Sequence, residues 1–149
     1  MRQLLFIAAW TAAASAQVPY SRLLKADSEP GNWLTYSRTF DGQRFSPLKQ
    51  ITPLNVGKLK PLWVYQIDSL DHFEATPIVV DGVMYLTEPP DSVSALDART
   101  GRRLWRYTRP VPSDVRPCCG RVNRGVAILG DTLYAVTLDA HLLALNASN

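Results

Sequence analysis

The sequence predicts an all-β fold, and more narrowly part of a β-propeller, on three observations. Short strand-like runs follow one another, no segment keeps a sustained helical period, and one strand pattern recurs after 49 positions. Tyr85 and Ala95-Leu96-Asp97-Ala98 have their counterparts in Tyr134 and Ala144-Leu145-Asn146-Ala147. A period of this size made of short strands is typical of propeller blades.

The predicted elements begin with one short helix over 20–27, which Pro30-Gly31-Asn32 would end. Strand-like runs follow, and the turn signals Asp81-Gly82, Thr100-Gly101 and Gly130-Asp131 separate several of them. The predicted strands cover 62–67, 77–80, 83–87, 92–96, 103–107, 125–129, 132–137 and 141–145.

The repeats also bear on domain organisation. The first copy continues through Gly101 to Trp105, whose ring can pack across the next blade, whereas the second copy stops at Asn149, before its glycine and tryptophan are due. A propeller closes with roughly 4–8 blades, and each blade has an apolar face that only its neighbours cover. We therefore expect residues 17–149 to be the N-terminal part of a truncated propeller domain. A small two-sheet β domain, complete in itself, is the alternative.

The first sixteen residues have the pattern of a signal peptide. Arg2 supplies the positive charge, residues 4–10 begin an apolar run, and Ala14-Ser15-Ala16 is an A-x-A cleavage site before Gln17. The apolar run is too short to span a membrane comfortably, and no later stretch is apolar enough to do so. The sequence therefore predicts export, with residues 1–16 removed, into a compartment where disulfides can form.

Charge and motifs argue against nucleic-acid and nucleotide binding. The 16 Lys and Arg against 13 Asp and Glu leave a net charge of +3, and the basic residues are scattered rather than clustered. Residues 120–125 match the first half of a phosphate-binding loop by spacing, but Val126-Ala127 replaces the required Lys and Ser or Thr. The chain also lacks a dinucleotide fingerprint.

The only two cysteines, Cys118 and Cys119, are adjacent. Disulfides join Cα atoms about 4.4–6.8 Å apart, whereas neighbours across a trans peptide are held near ~3.8 Å. A bond between them would close a small strained ring, and such strain tends to persist where it serves a site. The residues alone leave two other readings open, namely two unpaired buried cysteines, or two half-cystines bonded elsewhere.

From Trp33 to its end, the chain resembles the N-terminal quarter of the pyrroloquinoline-quinone (PQQ) dependent alcohol and methanol dehydrogenases. The specific part of this resemblance is Glu74, the adjacent cysteines and Arg124 in this order. The stretch 95–105 looks like that family's tryptophan-docking motif, which non-enzymatic propellers share. The matching stretches are 43–48, 51–59, 74–85 and 118–125.

The resemblance implies an eight-bladed propeller that holds PQQ near its axis beside Ca²⁺, or a lanthanide in some members. Such an enzyme is periplasmic, oxidises a primary alcohol to the aldehyde, and passes electrons to cytochrome c or a quinone. It further implies that Cys118 and Cys119 form a vicinal disulfide stacked on PQQ, that Glu74 hydrogen-bonds the PQQ ring system, and that Arg124 contacts the ortho-quinone oxygens. Outside that motif, Glu74 would be read as a solvated strand residue and Arg124 as part of a surface ion pair.

The resemblance places the family's catalytic base and metal ligands further along the chain than Asn149. We therefore expect no catalytic and no metal-binding residue in this chain, which would be inactive by itself. Two other functions stay open, namely a non-enzymatic exported scaffold or outer-membrane assembly factor, and a PQQ-dependent sugar dehydrogenase.

Overall fold

The computed structural model describes residues 18–149, so the signal peptide predicted over 1–16 lies outside the described part of the chain. The described chain opens with the helix α1 (Tyr20–Leu24) and a 3-10 turn at Ala26–Ser28, which confirms the predicted helix in shortened form. A second 3-10 turn covers Val56–Lys58. Within residues 18–149, no helix has the length and apolar character needed to cross a bilayer.

Two antiparallel sheets follow, and together they confirm the all-β, partial-propeller prediction. The first sheet has the strand order β1-β2-β3-β4 and the second has the order β5-β6-β7. The strands are β1 (Ile78–Val80), β2 (Val83–Glu88), β3 (Ser92–Asp97), β4 (Arg103–Thr108), β5 (Ala127–Leu129), β6 (Thr132–Val136) and β7 (Leu142–Asn146).

The two sheets are successive blades that repeat the same register. Tyr85 on β2 pairs with Ala95 on β3, and Tyr134 on β6 pairs with Ala144 on β7. The turns repeat as well, because the amide of Ala98 donates to the carbonyl of Gly82 at 2.8 Å and that of Ala147 donates to Asp131 at 2.8 Å. The 49-residue repeat found in the sequence is therefore a structural repeat.

The strand predicted over 62–67 is wrong as a strand. The segment is extended and alternates in burial, with Trp63, Tyr65 and Ile67 half-buried and the residues between them exposed. A strand is defined by its ladder to a neighbour, and none of the strands that the structure describes forms a ladder with this segment. The period-2 pattern is therefore real, but its backbone is not paired within the described residues.

Two tryptophan side chains hydrogen-bond to the turns that follow β3 and β7. The indole N–H of Trp63 donates to the carbonyl of Ala98 at 3.2 Å, and that of Trp105 donates to the carbonyl of Ala147 at 3.1 Å. Ala98 and Ala147 occupy equivalent positions of the repeat, so the docking predicted for Trp105 is confirmed. Trp63 is a second docking tryptophan that the sequence analysis did not identify.

The apolar core joins both blades to the segment ahead of them. That segment is tied to each blade by a pair of backbone hydrogen bonds, between Val18 and Gly130 and between Trp33 and Val79. Burying such side chains is worth roughly 25 cal/mol for each Å² of apolar surface removed from water. The core cluster comprises Val18, Leu23, Ala26, Leu34, Ile78, Val80, Tyr85, Val93, Ala95, Val126, Ile128, Leu133, Ala135 and Ala147.

Candidate cofactor site

Strand direction brings the predicted site residues to one end of the two blades. Because neighbouring strands are antiparallel, the start of β1, the β2–β3 turn and the end of β4 share that end. The segment before β5 joins them, because the carbonyl of Arg124 accepts from the amide of Thr76, just ahead of β1. Glu74 lies just ahead of β1, whereas Cys118, Cys119 and Arg124 lie in the connection from β4 to β5. The fold thus gathers residues that are up to 50 positions apart.

Glu74 and Arg124 form an ion pair. Arg124 Nη2 lies 3.1 Å from Glu74 Oε2, and Arg124 Nε donates to the same oxygen at 3.2 Å. The Arg124 side chain is 63% exposed and that of Glu74 39% exposed. An ion pair this open contributes little stability of its own, so both groups remain accessible to a ligand. This contact is also what the alternative interpretation of Arg124, as part of a surface ion pair, predicts.

The backbone beneath the ion pair is tightly placed. The amide of Thr76 donates to the carbonyl of Arg124 at 3.2 Å, so the two segments touch directly. Gly125 follows with φ +134°, and a Cβ at this position would lie 2.8 Å from the carbonyl oxygen of Thr76. Only glycine fits such a conformation and such a close approach. The backbone geometry after Arg124 therefore requires a glycine at position 125.

Both cysteines are exposed thiols in this structure, with their sulfur atoms 2.6 Å apart. Their exposure contradicts the reading as buried cysteines. The hydrogen bond with Cys118, followed by the charge of that neighbour, raises the pKa of Cys119. The charge of Arg124 opposes this shift and that of Glu74 adds to it, so the cysteine pair and the ion pair share one electrostatic environment. The vicinal disulfide remains a prediction.

Asn123 and Asp91 hold the loop that carries these residues, and the sequence analysis did not identify them. Asp91 is 2% exposed in the β2–β3 turn and accepts hydrogen bonds from Asn123 Nδ2 at 3.3 Å and from the amide of Leu138 at 2.8 Å. Burial, only partly offset by these bonds, raises the pKa of Asp91. The one feature of the sequence that could have pointed to Asp91 is its place directly after Pro89-Pro90, in a turn between two apolar strands.

Asp139 is engaged in a turn rather than free for proton transfer. Arg109 Nη2 lies 2.7 Å from its Oδ2, and Thr137 and His141 also contact its carboxylate. The hydrogen bonds from Arg109, and then from Thr137, hold the pKa of Asp139 well below its ordinary value. Among residues 18–149, no group of three or more His, Cys, Asp or Glu side chains is placed to hold a metal ion.

An open groove of about 660 Å³ lies beside the loop, lined by residues of the Asn123–Val126 segment and by Tyr134, Val136 and Leu142 of the second blade. Its walls are mainly apolar. Arg124 reaches it, but neither Glu74 nor the two cysteines line it. The groove therefore does not coincide with the predicted cofactor face, and belongs instead to the uncovered face of the second blade.

Comparison with known proteins shows the family. Residues 33–149 match the family described as "PQQ: Glucose/ethanol/alcohol dehydrogenase, beta-propeller domain". The chain is 47% identical over 148 residues to quinohemoprotein alcohol dehydrogenase ADH-IIG of Pseudomonas putida, covering 93% of this chain and 20% of that protein. It is 44% identical over 137 residues to quinoprotein ethanol dehydrogenase of Pseudomonas aeruginosa, covering 91% of this chain and 22% of that protein.

Solved structures of dehydrogenases show the same similarity. The structure of quinohemoprotein alcohol dehydrogenase ADHIIG from Pseudomonas putida superposes with a TM-score of 0.84 at 48% identity, over 93% of this chain and 20% of that one. A europium-containing methanol dehydrogenase superposes with a TM-score of 0.80 at 33% identity, over 86% and 23%. The chain thus spans about a fifth of the length of these relatives. It belongs to the β-propeller family of the PQQ-dependent glucose, ethanol and alcohol dehydrogenases.

Proposed function

We propose that this chain is the N-terminal part of a periplasmic PQQ-dependent dehydrogenase that oxidises a primary alcohol to the aldehyde and passes electrons to cytochrome c or a quinone. The observation that carries the proposal is the ion pair of Glu74 and Arg124, with Arg124 on the same loop between β4 and β5 that carries the Cys118-Cys119 pair. Family membership supplies the class of reaction, and the alcohol dehydrogenase relatives favour an alcohol as the substrate.

The residues present fit PQQ. Bound PQQ supplies an ortho-quinone that accepts two electrons from the alcohol. Arg124 is largely exposed and presents a fixed guanidinium, whose N–H groups donate to such oxygens and stabilise the negative charge that reduction brings. Glu74 shares the face and can accept a hydrogen bond from the ring system. In the ligand-bound state, Arg124 would share its donors between Glu74 and the quinone.

Cys118 and Cys119 would form the flat wall on which the cofactor stacks. We propose that they form a vicinal disulfide in the exported protein. The adjacency of the two exposed thiols, whose sulfur atoms lie 2.6 Å apart, supports this assignment. Alkylation without reductant should leave both cysteines unmodified in mass spectra, and alkylation after reduction should modify both. Two alkylated cysteines without reductant would contradict the bond.

We assign the metal ion and the catalytic base to parts of the relatives beyond the matched fifth. Ca²⁺ is the expected ion and a lanthanide is the alternative, for which the likeness to a europium-containing methanol dehydrogenase is an argument. The residues described here would contribute one wall of the cofactor site and no metal ligand. The 149 residues alone should accordingly reduce no dye with PQQ and alcohol, and measurable turnover would overturn this assignment.

The proposed periplasmic location rests on the predicted signal peptide. Export with cleavage after Ala16 predicts that the mature protein starts at Gln17, which N-terminal sequencing of the periplasmic fraction tests. A mature protein that still begins at Met1 and stays in the cytoplasmic fraction would contradict export, and with it the compartment needed for a stable disulfide.

Substrate trials on the full-length protein, reconstituted with PQQ and either Ca²⁺ or La³⁺, test the reaction. PQQ-dependent dye reduction with ethanol or methanol, but not with glucose, is expected. Turnover of glucose in preference to both alcohols would favour a sugar dehydrogenase. A full-length protein that binds no PQQ and turns over none of the three would favour an exported scaffold.

A further inference from the structure

The site loop is anchored by a buried carboxylate that the proposed function does not use. Asp91 sits in the β2–β3 turn, and its two oxygens serve different elements: Oδ1 accepts from Asn123 of the site loop at 3.3 Å, and Oδ2 accepts from the amide of Leu138 in the second blade at 2.8 Å. A buried carboxylate is costly unless its hydrogen bonds are made. This one connects both blades to the loop.

Asn123 uses both amide donors and its amide oxygen in this connection. Its Nδ2 donates to Asp91 and to the carbonyl of Val136 at 2.8 Å, and its Oδ1 accepts from the amide of Gly125 at 3.3 Å. Its main-chain carbonyl accepts from Thr87 Oγ1 at 3.0 Å. The residue directly before Arg124 is thus bound to the first blade, to the second blade and to its own loop.

Arg124 is consequently fixed on both sides. Asn123 holds the chain before it, and the carbonyl of Arg124 itself accepts from the Thr76 amide. After it, Gly125 runs so close to the Thr76 carbonyl that a Cβ would not fit. The side chain therefore leaves the loop from a fixed point beside Glu74. Precise placement of a charged donor is what binding of a rigid, planar ligand requires.

We propose that Asp91 and Asn123 are positioning residues, which act through the loop to hold Arg124 and the Cys118-Cys119 pair in the geometry that binds the cofactor. This inference rests on the proposed PQQ function. Both act by joining the loop to the two blades.

The test compares Asn123→Ala with Asn32→Ala in the full-length protein. Asn32 is a matched control, because its side chain also makes several hydrogen bonds, to Glu29 and Asp81, but beside the β1–β2 turn at the opposite end of the blade. Both variants should lower the melting temperature. Only Asn123→Ala should weaken PQQ binding, in the presence of Ca²⁺, by about tenfold or more.

A second readout needs no cofactor. In the apo-protein, Asn123→Ala should raise the amide hydrogen-exchange rates of residues 118–125 several-fold, because the loop loses its anchor, and Asn32→Ala should leave those rates unchanged. Asp91→Asn is the second variant should Asn123→Ala fail to fold. It keeps an oxygen for the Leu138 amide, and should weaken PQQ binding several-fold relative to the wild type.

The outcomes separate the two proposals. A wild-type protein that does not bind PQQ overturns the proposed function and this inference with it. A wild-type protein that binds PQQ, with Asn123→Ala or Asp91→Asn binding equally well, overturns the positioning role alone. Equal losses of affinity in Asn123→Ala and Asn32→Ala would likewise overturn it, because they would report general destabilisation.

Discussion

The indole N–H of Trp105 in the first blade donates to the main-chain carbonyl of Ala147 in the second, at 3.1 Å. The hydroxyl of Tyr85 donates to the same carbonyl at 3.1 Å, and the two rings pack with their centroids 6.1 Å apart. Burial raises the pKa of Tyr85 to about 12. One carbonyl therefore anchors two aromatic donors across the blade interface.

Trp105→Phe should destabilise the protein by about 1–2 kcal/mol, because the ring is kept in part while the hydrogen bond to Ala147 is lost. Denaturant unfolding of the full-length protein measures the change. Trp33→Phe is the control, since its indole hydrogen bond to Tyr36 is longer, at 3.4 Å, and exposed. Equal effects of the two changes would show that the docking hydrogen bond is not special.

Gly101→Ala should be far more damaging than Gly82→Ala. Both glycines have positive φ, at +72° and +82°, but a Cβ on Gly101 would lie 2.5 Å from the ring of Trp63, whereas a Cβ on Gly82 would meet nothing within 4 Å. Backbone strain alone costs about 1–2 kcal/mol, and the clash should add about 1–3 kcal/mol. Comparable melting temperatures for the two variants would mean that Trp63 does not dock on Gly101.

Gly125→Ala should weaken PQQ binding by about tenfold or more, equivalent to about 1.4 kcal/mol or more. The new Cβ would push against the Thr76 carbonyl and displace Arg124 from Glu74. Gly130→Ala is the control, because Gly130 also has positive φ but open space around its Cβ. Equilibrium titration of the apo-protein with PQQ measures both, and unchanged affinity in Gly125→Ala would contradict the proposed placement of Arg124.

Asp139→Asn should destabilise the protein at neutral pH and matter less in acid. The folded-state pKa of Asp139 is lowered, chiefly by Arg109, and its side chain is only 12% exposed. Its contribution is therefore full above the unfolded pKa of about 3.9, and is lost as the pH falls through the folded value. Unfolding measured at pH 7, 4 and 3 should show the difference from wild type shrinking with pH. Asp114→Asn, in an exposed loop, serves as the control. A difference in stability between Asp139→Asn and the wild type that does not change with pH would exclude an ionic role for Asp139.

The repeat explains why so much of the fold could be predicted. Strand runs from residue 77 onward, their turns and the docking of Trp105 all follow from local pattern and from a 49-residue period, and the structure confirms them. The prediction of a strand over 62–67 was wrong, because an alternating pattern predicts an extended chain but does not predict a partner for its backbone. Trp63 was missed because it lies outside the repeat: the position one 49-residue period before Trp105 is Val56, not Trp63.

The candidate site was predictable only in part. Glu74, Cys118, Cys119 and Arg124 entered through the resemblance to a family, and the structure brings Glu74 and Arg124 into contact. The Asp91–Asn123 bond could not be read from the sequence, because a hydrogen bond between side chains 32 positions apart leaves no periodic pattern. Such connections become visible only when the turn and the loop are placed together.

The most direct test of the proposed cofactor wall is a crystal structure of the full-length protein with bound PQQ. We expect the quinone ring to lie flat against a Cys118-Cys119 disulfide, with the Arg124 guanidinium within hydrogen-bond distance of the ortho-quinone oxygens and Glu74 bonded to the ring system. PQQ bound elsewhere, or bound without contact to Arg124 and the two cysteines, would contradict the assignment.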